Sequence, residues 1–229
     1  MKLLSPKRIE ISKNNSPFQG AFEASRNTTY DFVENGISVT KPIEVFYKSI
    51  AINSHQATVP LFNPISEKSI ESYHFFQNGM NYCINNAEFL NIQLRELLLS
   101  TKTTDEWKAS LYKLDFMGQR DVFSKYINED RKIRELETFN TSAKRKLITS
   151  TFHQYIIDRN IYTHGKLKLL MPDEKFYIDF VLEKRAPARV EITKEIVQSF
   201  LEISKELKKV LQVIQVFIQN DRISKGSDT

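Results

Sequence analysis

The sequence predicts a mainly α protein: an antiparallel bundle of four to five helices, with a β-hairpin before the last helix and an irregular N-terminal arm. Three observations predict it. From residue 65 onward apolar residues recur at steps of three and four, the repeat of helices that bury one side. Only six glycines and seven prolines occur in 229 residues, few for the many tight turns of an all-β sandwich. With 41% hydrophobic and 27% charged residues, the chain has an ordinary globular composition and enough length for one core plus an extension.

Residues 1–64 read as the arm or cap. They hold Pro6, Pro17, Pro42 and Pro60, and the stretch NNSPFQGAFEASRNTT is polar and rich in turn formers. Within the arm, IEVFYKSIAI (43–52) is β-branched and aromatic and puts Ile43, Val45, Tyr47 and Ser49 on one face, which predicts a short strand.

Residues 65–220 carry the bundle. A first long helix is marked by Tyr73, Phe76, Met80, Ile84, Ala87, Leu90, Leu94 and Leu97. Thr103 and Glu106 have the spacing of a capping box and open a second helix through Trp107, Leu111 and Leu114. Gly118 breaks it before Val122, Phe123, Tyr126 and Ile127. Ser142 or Thr141 caps a third helix whose buried face is Leu147, Ile148, Phe152, Tyr155 and Ile156. Two β-favouring runs flank Pro172-Asp173, which predicts a hairpin at about 166–184. Thr193 caps the last helix, with a stripe of Ile196, Phe200, Ile203, Leu207, Val210, Ile214 and Phe217; residues 221–229 read as a frayed tail.

Several function classes drop out. Cys83 is the single cysteine, so no internal disulfide and no CxxC zinc site exists, and the four histidines contain no HExxH pair. Neither a metal nor an organic cofactor is expected. The N-terminus lacks the apolar segment of a signal peptide, and VLQVIQVFI is broken by glutamines and too short to span a bilayer. The expectation is a cytoplasmic protein without a membrane partner. A net charge of +5 and a pI near 9.1 are compatible with a polyanionic partner.

The chemistry concentrates in QYIIDRNIYTHG, residues 154–165. Arg159 and Asn160 are followed by His164 and at once by Gly165, at the end of the third amphipathic helix. A guanidinium grips phosphate oxygens through paired hydrogen bonds. Histidine exchanges protons near neutral pH, and an amide orients either partner. Together they suit phosphodiester cleavage without a metal. No other histidine follows an arginine at four to seven residues.

RNIYTH resembles the R-x4-6-H motif, with a polar residue after the arginine, of HEPN domains (higher eukaryotes and prokaryotes nucleotide-binding). The likeness covers residues 65–220 in expected architecture and about eight residues in explicit motif. It implies a helical ribonuclease of toxin–antitoxin, abortive-infection or antiviral defence systems that cleaves RNA to a 2′,3′-cyclic phosphate. It further implies a homodimer with a composite active site and a possible antitoxin or regulatory partner. Carried over, Arg159 stabilises the phosphorane, Asn160 orients, and His164 is the general base or acid. Where some members have a tyrosine two residues after the histidine, this chain has Lys166-Leu167.

Other residues are expected to serve RNA. Lys144, Arg145 and Lys146, with Lys184, Arg185 and Arg189, track a backbone or form a solvated face. Tyr162 stacks on a base or packs into the bundle. His153 lines the groove or lies on the surface; His74 reads as packing, and His55 sits in a loop without chemical neighbours. The opposing reading has Arg159 paired with Asp158 or Glu183 and the helix end purely structural. An alternative function is a catalytically silent HEPN-like bundle that binds RNA or a partner protein.

Overall fold

The computed structural model describes residues 8–10, 21–34, 36–50, 65–102, 104–171, 173–181 and 188–226. Of the residues singled out above, Pro6, Pro17, His55, Pro60, Thr103, Pro172, Glu183, Lys184 and Arg185 lie outside them.

The expected simple helical bundle is corrected. Among the described residues, six helices accompany a six-stranded mixed sheet. The chain forms two compact units, one made of Cys83–Arg159 and Gln198–Thr229, the other of Pro6–Tyr82 and Asn160–Val197.

The second unit holds the sheet. Its strands are β1 (Arg8–Glu10), β2 (Ala21–Glu34), β3 (Ile37–Ile50), β4 (Lys166–Met171), β5 (Lys175–Phe180) and β6 (Ala188–Glu191), in the order β1-β6-β5-β4-β3-β2. Neighbours are antiparallel except β3 and β4, which run parallel with Val45 opposite Leu169 and Tyr47 opposite Met171. The stretch expected to be an irregular arm therefore supplies two fourteen-residue strands. They pair from Ala21↔Ile50 to Glu34↔Ile37. Gly36 takes φ +79°, the backbone an Asn-Gly hairpin turn needs. β2 escaped notice because its middle, Ser25–Thr29, is an unbroken polar run, as an outermost strand can carry; Thr40 donates to Asp31 at 2.6 Å across the pair. The expected face of β3 is buried at Ile43 and Val45.

The predicted hairpin is present as β4 and β5. Residues 67–82 of helix α1 (Glu67–Thr101) also belong to this unit. Tyr73 and Phe76 meet Phe176 at ring-centroid distances of 6.3 and 4.9 Å, and the Tyr73 hydroxyl donates to the Leu167 carbonyl.

The first unit is helical, as expected. It contains residues 83–101 of α1, α2 (Asp105–Tyr112), α3 (Phe116–Glu129), α4 (Arg131–Glu135), residues 142–159 of α5 (Ser142–His164) and residues 198–226 of α6 (Lys194–Gly226). Leu90, Leu94, Leu97, Phe123, Phe152, Leu207 and Ile214 fill its core, and Tyr155 stacks on Phe200 at 4.1 Å. Cys83 is fully buried, which pushes its thiol up to about 12 and leaves it chemically quiet. Thr104, one residue past the expected cap, receives the Trp107 amide at the start of α2. Gly118 is no breaker: it lies in the first turn of α3, its amide donating to the cap Asp115 at 2.7 Å. The expected frayed tail is helical as far as Gly226. Lys132 holds Asp221 at 2.6 Å and Arg222 reaches the Ser100 carbonyl at 2.5 Å. Among the described residues no helix is long and apolar enough to cross a membrane.

The N-terminus of α1 is closed from the β4–β5 turn. Ser66 donates its amide and hydroxyl to the Glu174 carboxylate at 3.2 and 2.9 Å, and its own oxygen accepts from the Ser69 amide. Glu174 makes this contact from φ +49°, a left-handed backbone that costs about 1 kcal/mol in a residue with a Cβ. Partial burial works to raise its pKa, but the hydrogen bonds from Ser69 and Ser66 outweigh it and hold the carboxyl below the usual carboxylate range. The charged form is therefore the one folding favours. Glu174→Gln is expected to destabilise by about 1 kcal/mol at neutral pH. Because the folded pKa is depressed, that difference is present above the ordinary carboxylate pKa and fades as pH falls through the folded one. Thermal unfolding of both proteins from pH 7 to pH 3 checks it; a difference independent of pH refutes the cap.

Candidate functional site

Helix α5 starts and stops for local reasons. Thr141 accepts from the Lys144 amide at 3.2 Å and caps its N-terminus. Ile148, Phe152, Tyr155 and Ile156 are buried as expected, whereas Leu147 is 46% exposed and falls outside the buried face. At the other end the helix runs unbroken through His164 and β4 begins at Lys166. A Cβ on the intervening Gly165 would lie 2.1 Å from Ile178 Cγ2 and 2.5 Å from the Ile161 carbonyl oxygen. The helix ends at glycine because only a bare Cα fits between its own last turn and β5.

Arg159 forms an ion pair with Glu88 of α1. The expected structural partner, Asp158, is 2% exposed and accepts from Gln154 at 2.8 Å. Asn160 follows Arg159 in α5, half-buried. His164 occupies the last helical position and is exposed. Five residues of continuous helix turn through about 140° beyond one full revolution, so Arg159 and His164 project from different sides of α5.

Tyr162 is 2% exposed, so its ring offers no face to a base, and the packing alternative holds. Lys144 and Arg145, cations at an unfavourable helix end, are tied down there: Lys144 Nζ donates to the Glu137 carbonyl at 2.7 Å. Arg145 donates to the Phe139 carbonyl at 2.6 Å and to Asn128 at 2.9 Å. Lys146 is exposed. His153 lies exposed on α5, and His74 sits 3.1 Å from the Asn78 amide nitrogen.

What surrounds His164 was missed in the sequence. A cleft of about 280 Å³ is lined by His164, Lys166, Lys168, Asp179, Phe180, Val181 and Ala188. Lys166 and Lys168 share a face of β4 because strand side chains alternate. The run K-L-K at 166–168 carried that signal once read as a strand.

The polar side of the sheet here is a ladder of alternating charge. Glu44 of β3 holds Lys168 of β4 at 3.1 Å, and Lys168 holds Asp179 of β5 at 3.3 Å. Arg189 of β6, 2% exposed, grips Asp179 with Nε at 2.6 Å and Nη2 at 2.8 Å. Burial works to lower the Lys168 pKa, but pairing with Glu44 and Asp179 prevails and raises it, so this amine is cationic throughout the physiological range. Arg189, offered above as a backbone-tracking cation, is instead buried in this ladder.

A larger cleft, of about 510 Å³, lies in the helical unit. Leu98, Lys102, Trp107, Lys125, Tyr126, Glu129 and Asp130 line it. It holds none of the predicted site residues. Burial, with Asp130 and Asp221 nearby, pushes the Tyr126 hydroxyl up to about 12. Among the described residues no group of three or more His, Cys, Asp or Glu side chains could hold a metal ion.

Compared with protein-family models, curated proteins and solved structures, the chain shows no match.

Proposed function

We propose that the chain is a cytoplasmic, metal-independent endoribonuclease of HEPN type, a toxin or antiviral defence effector acting as a homodimer under an antitoxin or other regulatory partner. The observation that supports this reading best is the placement of His164. The proton-exchanging residue of the R-x4-H motif stands exposed at the end of α5, in a cleft with two lysines.

The reaction needs little else. An imidazole takes the proton of an RNA 2′-hydroxyl, whose oxygen forms a bond to the adjacent phosphorus. The bond from phosphorus to the 5′-oxygen breaks, and a second imidazole, the other copy's His164, delivers a proton to the leaving oxygen. The products are a 2′,3′-cyclic phosphate and a free 5′-hydroxyl. The motif assigns Arg159 to the developing charge and Asn160 to orientation; because Arg159 leaves α5 on a different side from His164, in this reading it serves the other copy's His164 in the composite site.

A second reading has its own observation. Glu88 already matches the charge of Arg159, which favours a catalytically silent module that binds RNA or a partner protein.

Purified protein incubated with mixed cellular RNA in excess EDTA, beside His164→Ala, separates the two. Fragments ending in cyclic phosphate are expected from the parent protein, with the rate reduced at least about 100-fold in the variant. Cleavage unaffected by His164→Ala defeats the proposal. RNA binding without cleavage, indifferent to His164, selects the silent module.

A further inference from the structure

We infer that Lys166 and Lys168, together with His164, form the phosphate-binding site of this chain, and that the anion they take is a backbone phosphodiester of single-stranded RNA. The inference deepens the ribonuclease reading and rests on it for the choice of RNA over other phosphates. The anion site itself rests on charge and geometry.

Charge comes first. Four ladder residues cancel in pairs: Glu44 and Asp179 against Lys168 and Arg189. Both oxygens of Asp179 are occupied, Oδ1 by Arg189 Nε and Oδ2 by Arg189 Nη2 and Lys168 Nζ. That carboxylate is thus spent as a base and muted as a repellent of anions. The cleft keeps the charge of Lys166, which among the described residues pairs with no carboxylate, and the proton His164 can carry. A cleft whose acid is neutralised by a buried arginine attracts anions.

Geometry agrees. Lys166 stands opposite Asp179 in the β4–β5 pair, and Lys168 follows on the same strand face. His164 precedes them across Gly165 and lines the same cleft. Lys168 is held from two sides and is pre-positioned; Lys166 is exposed and reaches outward. A volume of about 280 Å³ admits a phosphate with part of its nucleotide and no folded helix of RNA. A cleft of that size suits an unpaired strand.

The probe is a single-stranded 2′-O-methyl RNA, which has no free 2′-hydroxyl and is not cut, with inorganic phosphate as the minimal ligand. Lys166→Glu is the informative variant because the side chain is exposed and its loss leaves the ladder intact. Affinity for the probe is expected to fall about tenfold, with the slope of log affinity against log salt reduced by about 1. Lys166→Arg should restore both. In the parent protein, phosphate should move the ring C–H signals of His164 in NMR spectra more than those of His153, and Lys166→Glu should abolish that shift.

Equal affinity in Lys166→Glu, or phosphate that leaves His164 unmoved, overturns the inference. Two outcomes separate it from the function it builds on. Lys166-dependent binding without any cleavage keeps the anion site and removes the ribonuclease. Cleavage that needs His164 but ignores Lys166 keeps the ribonuclease and removes the site.

Discussion

Asp179→Ala is expected to lower the stability of the protein by about 3–5 kcal/mol, because it removes the paired carboxylate of a buried guanidinium. Arg189 is 2% exposed and spends Nε and Nη2 on the two oxygens of Asp179. Remove the carboxylate and both donors lose the charged acceptor that they share, while Lys168 keeps Glu44 but loses Asp179. The magnitude measures a penalty of breaking the pair, which differs from the worth of the pair itself. Asp179→Leu combined with Arg189→Met should therefore return to within about 1.5 kcal/mol of the parent, since two apolar side chains can fill the space without stranding a charge. Urea unfolding followed by circular dichroism gives both numbers. A loss below about 1 kcal/mol in Asp179→Ala would mean that water reaches Arg189, and the neutralised cleft floor would go with it.

The same ladder shows why parts of the fold were readable from sequence and parts were not. The helical stripes were legible because helix periodicity is local: Tyr73, Phe76, Met80, Ala87, Leu90, Leu94 and Leu97 are buried, and Ile84 of the same stripe is half-buried. So was the cap at Thr193, which accepts from the Ile196 amide at 3.3 Å. The β4–β5 hairpin was legible for the same reason, as neighbours in sequence pair across a short turn. The parallel pairing of β3 with β4 had no such signature. It joins Val45 to Leu169 across five helices, and nothing near either residue encodes the partner. Asn35-Gly36 was a local signal that went unread, because β2 before it looked too polar for a strand. The candidate site divides likewise. His164 was singled out from residue type and spacing. The helix running through it, the pairing of Arg159 with Glu88 and the burial of Tyr162 depend on packing against segments distant in sequence.

Gly165→Ala is the sharpest test of how that site is held. One methyl group would stand 2.1 Å from Ile178 Cγ2 and 2.5 Å from the Ile161 carbonyl oxygen. Ile178 is itself fully buried in the middle of β5, paired with Leu167 and Val190, so it cannot swing aside. The carbonyl belongs to the last turn of α5 and moves only if that turn unwinds. We expect a loss of about 3 kcal/mol, the upper range for an over-packed core position. Adding Ile178→Ala should recover part of it, because one of the two obstructions disappears while the carbonyl remains; the double mutant should be more stable than the sum of the single losses implies. Function should follow stability only in part. The glycine sets the step from His164 to Lys166, so a surviving Gly165→Ala protein should bind the 2′-O-methyl RNA less well even at a temperature where it is fully folded. If instead it keeps the parent's unfolding midpoint and affinity, the close approach of α5 to β5 is wrong, and with it the placement of His164 in the cleft.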